Sequence, residues 1–166
     1  MSLALTYTNG DRGLRDFEQA IYWCERAAKS GYDKAQYNLG LIYVNAPPQF
    51  QDVDRAAYWM RKAASSGLPA AEYALSRFFE RDLIPESAPG ESIKWMRRAA
   101  EHGYAKASYR MAMAFDNGEH ATANQKIAVA WLKRSAEAGY AVAQYELARR
   151  HVLFEDPKYS PQEGLK

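Results

Sequence analysis

Four tryptophans, Trp23, Trp59, Trp95 and Trp131, follow one another at intervals of 36 residues, and four glycines, Gly31, Gly67, Gly103 and Gly139, keep the same interval. Spacing held without slippage means one supersecondary unit copied along the chain, so the fold must be built by stacking copies. Other columns obey the period. Ala28, Ala64, Ala100 and Ala136 align, as do Ala35, Ala71, Ala107 and Ala143, and Tyr37, Tyr73, Tyr109 and Tyr145. Small residues recur at Gly40, Ser76, Ala112 and Ala148, and rings at Tyr43, Phe79, Phe115 and His151.

Each unit reads as a helical hairpin. Phe17, Ala20, Trp23, Cys24, Ala27 and Ala28 form the stripe of an amphipathic helix, and Gly31 supplies a C-cap in the left-handed conformation. A second stripe, Ala35, Leu39, Ile42 and Tyr43, follows after a short turn. Turn-forming segments separate the units: Asn9-Gly10-Asp11, Asn45-Ala46-Pro47-Pro48, Ile84-Pro85 with Ala88-Pro89, and Asn117-Gly118. Asp16, Asp52 and Asn124 are placed to open the first helices. No alternating segment suggests a strand. The expected fold is all-α, an α-solenoid forming a right-handed superhelix of about four antiparallel hairpins of 36 residues. It should make one domain over 1–166, with units at about 3–32, 33–68, 69–104, 105–140 and a partial one at 141–166.

The pattern Trp-x3-Ala-Ala-x2-Gly-x3-Ala-x3-Leu-Gly-x2-Tyr, complete from Trp23 to Tyr43 and degenerate three more times, resembles the Sel-one-like repeat (SLR) family of tetratricopeptide-like solenoids. The resemblance covers essentially the whole chain. It departs from the family in the third loop, Asp82 to Gly90, where the Asn-Gly turn is lost. What the resemblance implies is a noncatalytic scaffold or adaptor for other proteins.

Composition and motifs point the same way. A net charge of +2 gives no support for nucleic-acid binding, and no apolar run reaches the roughly 18 residues of a membrane helix. The single cysteine, Cys24, shares a column with Met60, Met96 and Leu132 and reads as core. His102, His120 and His151 have no metal-ligand spacing. Ser-x-x-Lys, His-Glu-x-x-His, Gly-x-Ser-x-Gly and phosphate-cradling loops are absent. The expectation is a chain with no catalytic residues, no cofactor and no metal site. Basic doublets at Arg61-Lys62, Arg97-Arg98 and Lys133-Arg134 fall late in the tryptophan helices, where cations offset the helix dipole on a solvated face.

At 100° per residue, positions 34, 37, 38, 41, 44 and 45 lie opposite the core stripe of the second helix, on the side that would line a concave surface. Carried through the repeats, this face gathers Lys34, Tyr37, Asn38 and Leu41; Tyr73, Arg77 and Arg81; Lys106, Tyr109, Arg110 and Met113; and Tyr145 and Arg149. Six of these are cations, set against the acids Glu80, Asp116 and Glu146. The expected partner is a protein or peptide, an acidic segment with interspersed hydrophobic residues lying in the groove. Neither nucleic acid nor membrane insertion is expected, and compartment is left open. Two alternatives are a folded partner held at repeat edges and loops, and a spacer within a larger protein.

The chain also reads as part of a longer array, since Ser160, Pro161 and Glu163 carry the signals of another helix start and Leu3, Ala4 and Tyr7 match the second half of an earlier hairpin. Cut ends of this kind offer a route to end-to-end self-association. A chain lengthened by one further hairpin is predicted to melt higher, because stacking covers an apolar end; an unchanged melting temperature would contradict that reading.

Overall fold

The computed structural model describes residues 14–84, 90–118 and 123–155, with side chains from residue 17 to 150. Eight α-helices are present among the described residues: α1 (Leu14–Lys29), α2 (Asp33–Asn45), α3 (Val53–Ser65), α4 (Pro69–Glu80), α5 (Glu91–Glu101), α6 (Ala105–Asn117), α7 (Gln125–Glu137) and α8 (Ala141–Glu155). A 3-10 turn, Pro48–Phe50, lies between α2 and α3. No described residue is in a strand. The chain divides into two compact units, 1–99 and 100–166. The tryptophan helices and the tyrosine helices alternate along the chain, as the stripes require.

The turns explain the glycine column. Gly31, Gly67, Gly103 and Gly139 have φ of +87°, +83°, +85° and +85°, a region costly for a residue with a Cβ. In the first turn Gly31 N–H donates to Ala28 O at 3.1 Å and Tyr32 N–H to Ala27 O at 3.3 Å. These two bonds make a Schellman motif, which satisfies carbonyls left over at the helix end. Gly67 with Leu68 and Gly139 with Tyr140 repeat it. Helix starts are fixed where Asp52 and Asn124 accept from the N–H groups of Arg55 and Ile127. The first helix already includes Leu14, the first described residue, so Asp16 lies inside it rather than opening it as expected.

The third loop, which lacks Asn-Gly, still makes its left-handed turn. Asp82 adopts φ 51°, one repeat before Gly118 at φ 70°; aspartate is among the few side chains that tolerate this region. Residues 85–89 and the Asn9-Gly10 turn lie outside the described residues, as do the expected helix start at Ser160 and the ring of His151.

In unit 1 the most extensive pairing is between α2 and α3, across the inter-repeat loop rather than across the glycine turn. The core there joins Leu39, Tyr43, Trp59, Met60, Leu75, Phe78, Phe79 and Ile84, with Trp95 packed against it. In unit 2 the matching pair is α6 with α7. Ala112, Leu132, Ala136 and Ala143 form its centre, and Tyr109, Met113, Trp131, Tyr140 and Leu147 pack around them. Cys24 is buried as its column implied, and burial pushes its thiol pKa up. The tryptophans are not equivalent: Trp59 is 7% exposed and Trp23 is 46% exposed.

The basic doublets do more than face solvent. Arg26, Lys62, Arg98 and Arg134 each lie over the tryptophan three residues earlier, at 5.3, 5.3, 4.8 and 5.3 Å from the ring centre, within cation–π range. Arg98 also reaches from α5 to α4, its Nε 3.1 Å from Oε1 of the fully buried Glu72. Arg98 is thus exposed, as expected of the doublets, and adds a contact with a buried carboxylate that the sequence did not suggest.

Trp59→Ala is predicted to cost about 3–5 kcal/mol in urea unfolding, as a large buried truncation. Arg98→Ala should cost about 1–3 kcal/mol, because it strips an ion-pair partner from a buried carboxylate, and the half-exposed guanidinium keeps the loss below that of a fully buried pair. Replacing Glu72 with Gln in the same molecule should recover part of that loss; a loss within about 0.5 kcal/mol for Arg98→Ala alone would return the residue to the ordinary surface class.

Candidate functional site

The second helix of each hairpin has one side in the core and another that the hairpin pairing leaves uncovered. In unit 1, α2 buries Ala35, Gln36, Leu39, Gly40 and Tyr43. Lys34 on the other side is exposed, and Tyr37, Asn38 and Leu41 are half-buried. Tyr37 and Leu41 pack by one edge on the core cluster, and burial raises the Tyr37 phenol above its ordinary pKa. On α4, Tyr73 and Arg77 are half-buried and Arg81, the residue closing the helix, is exposed.

Unit 2 repeats this layout on α6 and α8. Lys106 is exposed, and Tyr109, Arg110 and Met113 are half-buried. Tyr109 meets Tyr140 edge-on, with centroids 5.4 Å apart and planes at 61°, a favourable arrangement for aromatic pairs. On α8, Tyr145 is 70% exposed and Arg149 is exposed beside it. The tyrosine column therefore has two states: three rings wedged partly into packing and one facing outward.

Each acid on this face is already held by an arginine. Arg77 pairs with Glu80 three residues on. Arg149 grips Glu146 through Nε at 3.1 Å and Nη2 at 2.6 Å. Asp116 pairs with Arg150 of α8, a contact from outside the expected set. The hydrogen bond from Arg149, with support from Arg150, holds the Glu146 carboxyl below its usual pKa. Of the six expected cations, Arg77 and Arg149 are thus balanced by carboxylates; Lys34, Arg81 and Lys106 are exposed and Arg110 is half-buried.

A further column, Gln36, Glu72, Ser108 and Gln144, carries no motif in the sequence. Gln36 Nε2 donates to Ala28 O and Gln144 Nε2 to Ala136 O, both at 3.1 Å, and Ser108 Oγ reaches Ala100 O at 3.5 Å. These bonds tie α2, α6 and α8 each to the end of the helix before it, whereas Glu72 of α4 meets Arg98 of the following helix. Their signal was the spacing alone, since the residue type changes from copy to copy.

The geometry is that of an α-helical repeat protein of the solenoid class, with open faces on its second helices. The Sel1 repeat family model matches residues 1–32, 33–68, 69–104 and 105–140. The chain belongs to the Sel1 repeat family. It is similar to the crystal structure of a Sel1 repeat protein from Oxalobacter formigenes, at 28% identity and TM-score 0.76, over 89% of this chain and 60% of that one. It is also similar to a protective antigen present in uropathogenic Escherichia coli strains that displays an SLR fold, at 34% identity and TM-score 0.73, over 86% of this chain and 30% of that one. A Sel1 repeat protein from Klebsiella pneumoniae shares the fold at 21% identity and TM-score 0.51, over 89% of this chain and 76% of that one. The chain thus spans less than two thirds of the first two of these structures. A search of curated proteins returned no match.

Among the described residues no group of three or more His, Cys, Asp or Glu is arranged to hold a metal ion, and no helix is long and apolar enough to cross a membrane.

The depressed pKa of Glu146 sets a pH dependence. Its contribution to stability is fully present above the ordinary glutamate pKa of about 4.3 and is lost as pH falls through the lower folded value. Glu146→Gln is predicted to lower the urea midpoint at pH 6 by an amount that shrinks as pH falls below the ordinary glutamate range; a pH-independent gap would mean that the pair adds nothing beyond packing.

Proposed function

We propose that this chain is a noncatalytic adaptor that binds an extended segment of another protein along the uncovered faces of its second helices. Sel1-repeat proteins generally serve protein–protein interaction and are typically noncatalytic, which supports the coarse assignment. The observation that carries the finer one is the composition of the face in each unit. Half-buried Tyr37, Leu41, Tyr109 and Met113 offer apolar contact area whose order is already fixed by packing. Exposed Lys34, Arg81 and Lys106 flank them with positive charge. Rigid aromatics bounded by polar side chains are the usual composition of a binding patch.

The preferred partner is an acidic segment with interspersed apolar residues. Its acids would meet the lysines, and its apolar side chains would meet Leu41 and Met113. Charge complementarity of this kind speeds association and is screened over about 8 Å at physiological ionic strength.

Random peptides displayed on phage supply the probe, because selection on the folded chain lets the face itself choose its ligands. Selected peptides should be acidic and should bind more weakly as salt rises. Lys34→Glu together with Lys106→Glu should reduce their affinity at least tenfold with melting unchanged. Undiminished affinity in this variant would move the site to the loops or the outer helices. A failure to select any peptide sensitive to these substitutions would favour the spacer.

A further inference from the structure

Column 41 of the repeat alternates between an apolar residue and an arginine: Leu41, Arg77, Met113, Arg149. Both arginines are locked by a glutamate three residues away on the same helix, on one side or the other. In each pair the carboxylate is sheltered and the guanidinium turned outward: Glu80 is 16% exposed beneath Arg77 at 37%, and Glu146 is 16% exposed beneath Arg149 at 53%. Arg149 commits Nε and Nη2 to its partner, so of the five N–H donors of a guanidinium, those on Nη1 still point away from it.

Resting on the adaptor reading above, we propose that the Arg77–Glu80 and Arg149–Glu146 pairs recognise neutral hydrogen-bond acceptors of the bound segment, its backbone carbonyls and Asn or Gln amides, rather than its carboxylates.

The reasoning is electrostatic. An arriving carboxylate meets a guanidinium whose charge is cancelled at close range by a glutamate, and the two acids repel. A carbonyl needs no net charge. It needs an N–H in a fixed direction, and the glutamate beneath provides this by holding the guanidinium still, so less side-chain freedom is lost on binding. Glu80 and Glu146 are then positioning residues that also select against acids at these two slots. The acids of the segment are left to Lys34 and Lys106.

The test uses the display-selected peptides with wild-type protein and with the Glu80→Gln/Glu146→Gln variant, calorimetry reading the affinity. Gln keeps the shape and removes the charge, and far-UV circular dichroism with thermal melting checks that the variant is folded. For wild type, changing an Asn or Gln of the peptide to Asp or Glu at the fork positions should weaken binding or leave it unchanged. For the variant, the same change should strengthen binding at least tenfold and steepen its salt dependence. The proposal is overturned if acidic peptides bind wild type tenfold more tightly at these positions and the variant behaves alike. If no selected peptide responds to Lys34→Glu or Lys106→Glu, the adaptor reading itself fails, a result distinct from peptides that occupy the face and prefer acids at the forks.

Discussion

The structure depends on how closely successive helices approach across the inter-repeat loop. At Gly40 a single added Cβ would stand 2.9 Å from Met60 Cε and 3.2 Å from the carbonyl oxygen of Ala56. The methionine end can move, but the backbone oxygen cannot without shifting α3. That proximity brings Leu39 and Tyr43 into one core with Trp59 and Met60, and interiors packed to this density tolerate few added atoms. The glycine turn, by contrast, sets direction more than energy. It reverses the chain and ties off carbonyls, while the larger contact is made with the next hairpin.

Electrostatics divides the surface into two kinds. On the tryptophan helices one cation of each copy, Arg26, Lys62, Arg98 and Arg134, stacks on the tryptophan, and Arg98 and Arg134 add reach to Glu72 and to the carbonyl of Glu101. On the outward face of the tyrosine helices Glu80, Asp116 and Glu146 are held by arginines. Formal charge counted along the sequence therefore overstates what either surface offers a partner. On the outward face of the second helices the exposed cations besides the paired Arg149 are Lys34, Arg81 and Lys106, and the two lysines stand near half-buried tyrosines.

Much of this was legible in the residues because stacking forces identical environments at a fixed interval. The Trp, Ala and Gly columns named the helices, their core sides and their ends, and the arithmetic of 100° per residue placed the outward face. What stayed hidden was whatever depends on geometry rather than identity. Gln36, Ser108 and Gln144 do one job with two side-chain types, and Glu72 stands in their column with an arginine 26 residues away. Asp116 with Arg150, 34 residues apart, gave no local signal either. The Arg77–Glu80 and Arg149–Glu146 pairs were within reach, because residues three apart on a helix are neighbours. The half-buried state of Tyr37 and the exposure of Tyr145 belong to neighbouring packing that no single column encodes.

Stability after one substitution at two positions of the small-residue column tests the stacking claim most directly. Leucine placed at Gly40 would meet Met60 and Ala56, whereas leucine at Ala148, the exposed member of the same column on α8, meets solvent. Urea unfolding of Gly40→Leu is predicted to show a loss of about 1–3 kcal/mol as the α2–α3 contact is forced apart, with Ala148→Leu within about 0.5 kcal/mol of the parent. Equal effects at the two positions, or a harmless leucine at Gly40, would contradict the account.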